Sequence, residues 1–116
     1  MQIRKTYDGI NPDLLFDEIR DFVLKQGLVL GEKKIETYVL PTDSAKFIAR
    51  GTMTFNAPGE SDAPVQQGVR AHIVGSASGE TKVMLDIDDK LFPPDKIAAL
   101  QDDLDFIFGS YEVNPK

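Results

Sequence analysis

The sequence predicts an α+β fold: a five-stranded antiparallel sheet with two helices packed on one face, in the order β-α-β-β-β-β-α. Three observations lead there. Five stretches alternate polar and apolar residues with the period of a strand, and two others carry an apolar stripe with the period of a helix. Two amphipathic helices with one stripe each can cover only one face of such a sheet, so the other face is expected to stand open.

The elements follow in order. Ile3, Lys5 and Tyr7 alternate with Arg4 and Thr6, and this first strand stops at the Asp8-Gly9 turn signal. Asn11-Pro12-Asp13 supplies an N-cap, a proline for the first helical position and an acid for the first turn, so a helix should start at Pro12. Leu15, Ile19, Phe22 and Val23 form its stripe, Asp17, Glu18, Asp21 and Lys25 surround the other side, and Gly27 is placed to adopt the left-handed conformation that ends it.

Three alternating runs come next, from Lys34 to Leu40, Lys46 to Phe55 and Val69 to Val74. Pro41-Thr42-Asp43-Ser44 reads as a turn between the first two, and Asn56 to Pro64 as a longer loop. After the turn Ser76 to Glu80, the residues Val83, Leu85 and Ile87 alternate with Lys82, Met84, Asp86 and Asp88 as the fifth strand. Pro93 and Pro94 end the sheet and suit the start of a second helix. Its stripe is Ile97, Leu100, Leu104, Ile107 and Phe108, its wet side Asp102, Asp103 and Asp105, and its terminator Gly109.

This order resembles the TATA-binding-protein-like arrangement, whose elaborated relatives include the helix-grip or Bet v 1/START domains. The resemblance is one of topology and implies that an apolar ligand held between sheet and C-terminal helix is one possible use of the fold.

At 116 residues the chain has the length of one domain, expected to span 1–116. No apolar run approaches the roughly 20 residues that cross a bilayer. No secretory leader precedes the first strand, so the expected location is the cytoplasm and no membrane partner is foreseen. The absence of cysteine excludes disulfides, thiolate metal sites and thiol nucleophiles. A net charge of −6 disfavours nucleic acid, whose affinity for proteins comes largely from phosphate neutralisation.

No motif points to catalysis, a metal or a cofactor, and none is expected. His72 is the only histidine, which leaves imidazole metal clusters without ligands. Asp86, Asp88, Asp89 and Asp95 lack calcium-loop spacing, because the glycine and glutamate positions hold Leu91 and Ile97; solvated acids at a strand end are the simpler reading. Gly51, Gly68, Gly75 and Gly79 form no phosphate-binding pattern, and Gly51 and Gly75 are expected to mark bulges or close approaches that bend the sheet.

Sorting the strands by face is more informative. With Phe47, Ala49, Met53, Phe55, Val69, Ala71, Ile73, Val83, Leu85 and Ile87 against the helices, the opposite face carries Arg4, Lys34, Lys46, Arg50, Arg70 and Lys82 against Glu36, Asp86 and Asp88. Tyr38, Ile48, Thr52, Thr54, His72 and Met84 lie among them. Such a face is ordinarily just solvated. Its functional reading is a non-enzymatic interaction domain in which Tyr38, Arg50, Arg70 and His72 dock a negatively charged protein, or a second copy of the chain. The alternative is a small apolar ligand held near Phe47, Met53, Phe55, Leu104, Ile107 and Phe108, residues that otherwise read as core. A third reading places an enzyme's carboxylates at Glu60 or Asp62 in the long loop.

Overall fold

The computed structural model describes residues 1–40, 43–59, 66–76 and 79–113, with the side chains of 40 and 43–47 outside that description. The chain runs β1 (Gln2–Asp8), α1 (Pro12–Lys25), β2 (Val29–Leu40), β3 (Asp43–Asn56), β4 (Gln67–Gly75), β5 (Glu80–Ile87) and α2 (Pro94–Phe108), followed by a short 3-10 turn (Gly109–Tyr111). All neighbouring strands are antiparallel in the order β1-β5-β4-β3-β2. The first strand therefore lies beside the last. Three hairpin-type neighbours follow one another, while α1 carries the chain from one edge of the sheet to the other.

Local chemistry sets the ends of α1 where the sequence placed them. Asn11 Oδ1 accepts from the Asp13 amide at 2.9 Å, Pro12 occupies the first turn, and Gly27 has φ +98°, a conformation that a side chain would strain. Leu15, Phe16, Ile19 and Val23 are buried on one side of α1, and Ile97, Leu100, Leu104 and Phe108 on one side of α2. They meet Ile3, Tyr7, Met53, Phe55, Val69, Ala71, Ile73, Val83, Leu85 and Ile87 in a single apolar cluster. Each fully buried side chain of this kind contributes about 1.5–3 kcal/mol, well above the 0–1 kcal/mol of a surface ion pair, so burial holds the layers together.

Polar contacts then fix how α2 sits. Lys5, on the helix side of β1, bridges Asp105 at 3.0 Å and Glu112 at 3.4 Å, and Lys96 Nζ donates to the Gln26 carbonyl at the end of α1. The Tyr7 ring meets Phe108 edge-on, with centroids 6.1 Å apart.

The structure departs from expectation in a few places. β2 begins at Val29 rather than Lys34, and its register shifts between Leu30 and Lys33. Leu30 opposes Phe55 and Lys33 opposes Met53, so one extra residue of β2 faces Thr54, whose Oγ1 accepts from the Glu32 amide at 2.8 Å. A bulge of this kind breaks the period-two pattern that would reveal the strand. Of the expected turn Pro41–Ser44, residues 41–42 lie outside the description and Asp43 and Ser44 belong to β3. The ladder continues unbroken through Gly51 and Gly75, so neither is a bulge; both are close approaches. A Cβ on Gly51 would lie 2.5 Å from Phe16 Cζ, and one on Gly75 would fall onto Thr81. Ile107, expected in the stripe of α2, is 40% exposed.

Candidate docking face

The face opposite the helices is a grid whose rows follow from the strand register. The central row reads Lys34, Thr52, His72, Met84 and Arg4 across β2, β3, β4, β5 and β1. One adjacent row reads Glu36, Arg50, Val74, Lys82 and Thr6; the row on the other side contains Thr54, Arg70, Asp86 and Gln2. Side chains directly opposed across antiparallel strands lie within reach of one another, so these rows are contact sets. Thr52 Oγ1 and His72 Nδ1 are hydrogen-bonded at 2.9 Å, and this pair stands midway between Arg50 and Arg70.

The sequence-predicted residues Tyr38, Arg50, Arg70 and His72 are brought together. With Lys34, Glu36, Gly51 and Thr52 they line a shallow depression of about 300 Å³. A second hollow, about 400 Å³, adjoins it and shares Lys34, Thr52 and Arg70 while adding Glu32, Thr54 and Gln67. Glu32 escapes the face sorting because the strand is expected to start at Lys34; the same alternation carried back by two residues reaches it, and the bulge shifts the phase only before that point.

Charge on this face is unevenly satisfied. Glu36 accepts from Tyr38 Oη and pairs with Lys34 at 3.2 Å, and Asp86 Oδ1 accepts from Gln2 Nε2 at 3.0 Å. Arg4 Nε donates to Gln2 Oε1 at 2.9 Å. Among the described residues neither Arg50 nor Arg70 makes an ion pair, although Arg50 stands opposite Glu36 and Arg70 opposite Asp86. Glu36 and Asp86 are thus engaged, while the two central arginines stay exposed. Lys46 lies outside the described side chains, and Asp88 falls beyond the end of β5, where its carboxylate accepts from the Lys90 amide at 3.0 Å.

The residues of the apolar-ligand alternative sit elsewhere. Met53, Phe55 and Leu104 are fully buried and Phe108 nearly so, all within the continuous core, and the side chain of Phe47 is outside the description. Glu60 and Asp62 also lie outside the described residues. Among the described residues no helix is long and apolar enough to cross a membrane, and no three histidine or carboxylate side chains gather as a metal site would require.

Comparison with known families, curated proteins and solved structures finds no match for this chain.

Proposed function

We propose that the chain is a small domain of TATA-binding-protein-like or helix-grip topology that acts by docking, its open sheet face receiving an acidic surface of a protein partner. The strand order β1-β5-β4-β3-β2, with both helices on one side, supports the topological reading. The observation that carries the docking reading is the pair Arg50 and Arg70, flanking the Thr52–His72 hydrogen bond in one depression, neither of them in an ion pair among the described residues although Glu36 and Asp86 stand across the ladder. Arginine is well suited to this role because its planar fork binds carboxylates in pairs and it is enriched where interfaces concentrate their energy. Tyr38 adds a rigid, amphipathic ring at the rim. The acidic remainder of the molecule favours a protein over a polyanionic nucleic acid, since the positive charge is local and small in extent.

The test is an Arg50→Glu, Arg70→Glu double variant compared with wild type for retention of partners from cells that make the protein. Loss of a partner whose binding by wild type also weakens as salt is raised is the expected result, since rim and patch charges act through screened electrostatics. A helix-side control, Lys25→Glu, should keep that partner. A double variant that folds normally and retains every wild-type interaction overturns the proposal.

A further inference from the structure

The sheet has two edges, and they are finished differently. β1 is partly closed on its outer side by the chain's own C-terminal segment: Tyr7 bridges Glu112, and the Val113 amide donates to the Thr6 carbonyl at 2.8 Å. β2, at the far end of the order, pairs with β3 alone among the described residues. A strand with one unpaired side is a template for another strand.

The side chains of β2 indicate which strand fits. Glu32, Lys34, Glu36 and Tyr38 lie along the open face, and Lys33, Ile35, Thr37 and Val39 along the helix side. On the helix side Ile35 is 37% and Val39 61% exposed, an uncovered apolar strip on an edge strand. A second copy of β2 laid antiparallel, with Ile35 opposite its counterpart, brings Lys34 opposite the second copy's Glu36 and Glu36 opposite its Lys34. Glu32 and Tyr38 then oppose each other, Lys33 faces Thr37, and the two isoleucines meet on the two-fold axis. The registers two residues away that keep both open faces on one side are worse. One opposes Lys34 to Lys34 and Glu32 to Glu36, and the other opposes Glu36 to Glu36, and like charges directly across a ladder are destabilising. The bulge at Gly31-Glu32 ends the regular ladder on one side, so it limits slippage toward longer pairings.

We infer that β2 is a homodimerisation edge at which two copies of this chain pair antiparallel about Ile35, joining their five-stranded sheets into one continuous sheet. The interface is isologous, as a two-fold requires, and it places both open faces on the same side.

Charge reversal at Lys34 and Glu36 tests this directly, because their side chains are 71% and 42% exposed and can be changed without disturbing the core. Sedimentation equilibrium of wild type should give twice the 12.8 kDa mass of one chain. Lys34→Glu opposes two pairs of acids at the inferred interface and Glu36→Lys two pairs of bases, so each variant alone should dissociate with a constant raised at least about tenfold. Mixed in equal amounts, the two variants are complementary across the interface and should return to the double mass, as should the Lys34→Glu, Glu36→Lys swap in one chain. The mixture separates a contact between chains from the Lys34–Glu36 pair within one chain, which mixing cannot restore. Circular dichroism of each variant checks that the fold is retained. Wild type at the mass of one chain at high concentration overturns the inference, as does a dimer that survives both single variants or a mixture that stays monomeric.

Discussion

The helix-covered and open faces are made of alternate residues of the same five strands, yet they are held to different standards. On the covered face of β1, β3, β4 and β5 almost every side chain is apolar and shut away from water, and the glycine at position 51 is required because the Phe16 ring occupies the space a side chain would need. On the open face neighbouring residues alternate between acid, base and hydroxyl, and the contacts are single hydrogen bonds or ion pairs reaching into solvent. One face decides whether the chain folds. The other can change its chemistry at little cost in stability, which is the property the docking proposed for it would use.

The contrast is sharpest for a core truncation. Phe16→Ala removes a fully buried ring and leaves a cavity beneath Gly51, and should cost about 3–5 kcal/mol in denaturant unfolding. If the loss were as small as that of a surface change, the covered face would not be the jigsaw that the structure describes. A smaller effect of opposite sign is expected at Tyr7. Its hydroxyl is buried without a hydrogen-bond partner, and burial, reinforced by the nearby carboxylates of Glu112 and Asp105, pushes its pKa upward. Tyr7→Phe removes an orphaned polar group while keeping the ring against Phe108, so unfolding should show no loss and a gain of up to about 1 kcal/mol. A clear destabilisation would reveal a partner for the hydroxyl.

A third effect lies where the two helices meet. A hydrogen bond to Asp103, with burial and the negative charges of Asp103 and Asp21 adding to it, pushes Glu18 up from its ordinary 4.5 to about 7. Asp103 Oδ2 is a buried acceptor without a donor, and a protonated Glu18 carboxyl would supply one. The folded state therefore keeps a proton that the unfolded chain has already lost above its ordinary pKa. The stabilisation is complete below pH 4.5, and stability falls as pH rises through about 7. Thermal unfolding followed across that window should show the decline, and Glu18→Gln, which donates at every pH, should flatten it. The smallest change belongs to the open face: Arg50→Ala should shift stability by no more than about 0.5 kcal/mol, because the guanidinium makes no ion pair among the described residues. A loss of 2 kcal/mol or so at Arg50, the size of a buried-contact loss, would mean that the open face is part of the fold's support.

How much of this was legible depended on how local the signal was. Asn11, Pro12 and Gly27 act on the backbone next to them, so the limits of α1 were readable to the residue. The open-face candidates Tyr38, Arg50, Arg70 and His72 were readable because strict alternation assigns a face without any knowledge of the neighbouring strand, and they do line one depression. Glu32 was missed because it precedes the expected start of the strand at Lys34, and Phe16 because the stripe was drawn through Leu15, although Phe16 shares that face through its i+3 and i+7 spacings to Ile19 and Val23. Ile107 has the right period for the stripe but lies at its margin, 40% exposed near the end of α2.

By itself the sequence determined the order and kind of the elements, the limits of α1 and the face taken by most of the strand residues, because these depend on periods of two and 3.6 residues and on caps acting within a few positions. Only the tertiary structure decided that β1 lies beside β5, that Lys5 reaches Asp105, that the C-terminal segment closes one edge and that β2 is left as the other. These pairings join residues distant along the chain. They are selected by the simultaneous burial of one apolar cluster, a condition that no local stretch of sequence carries alone.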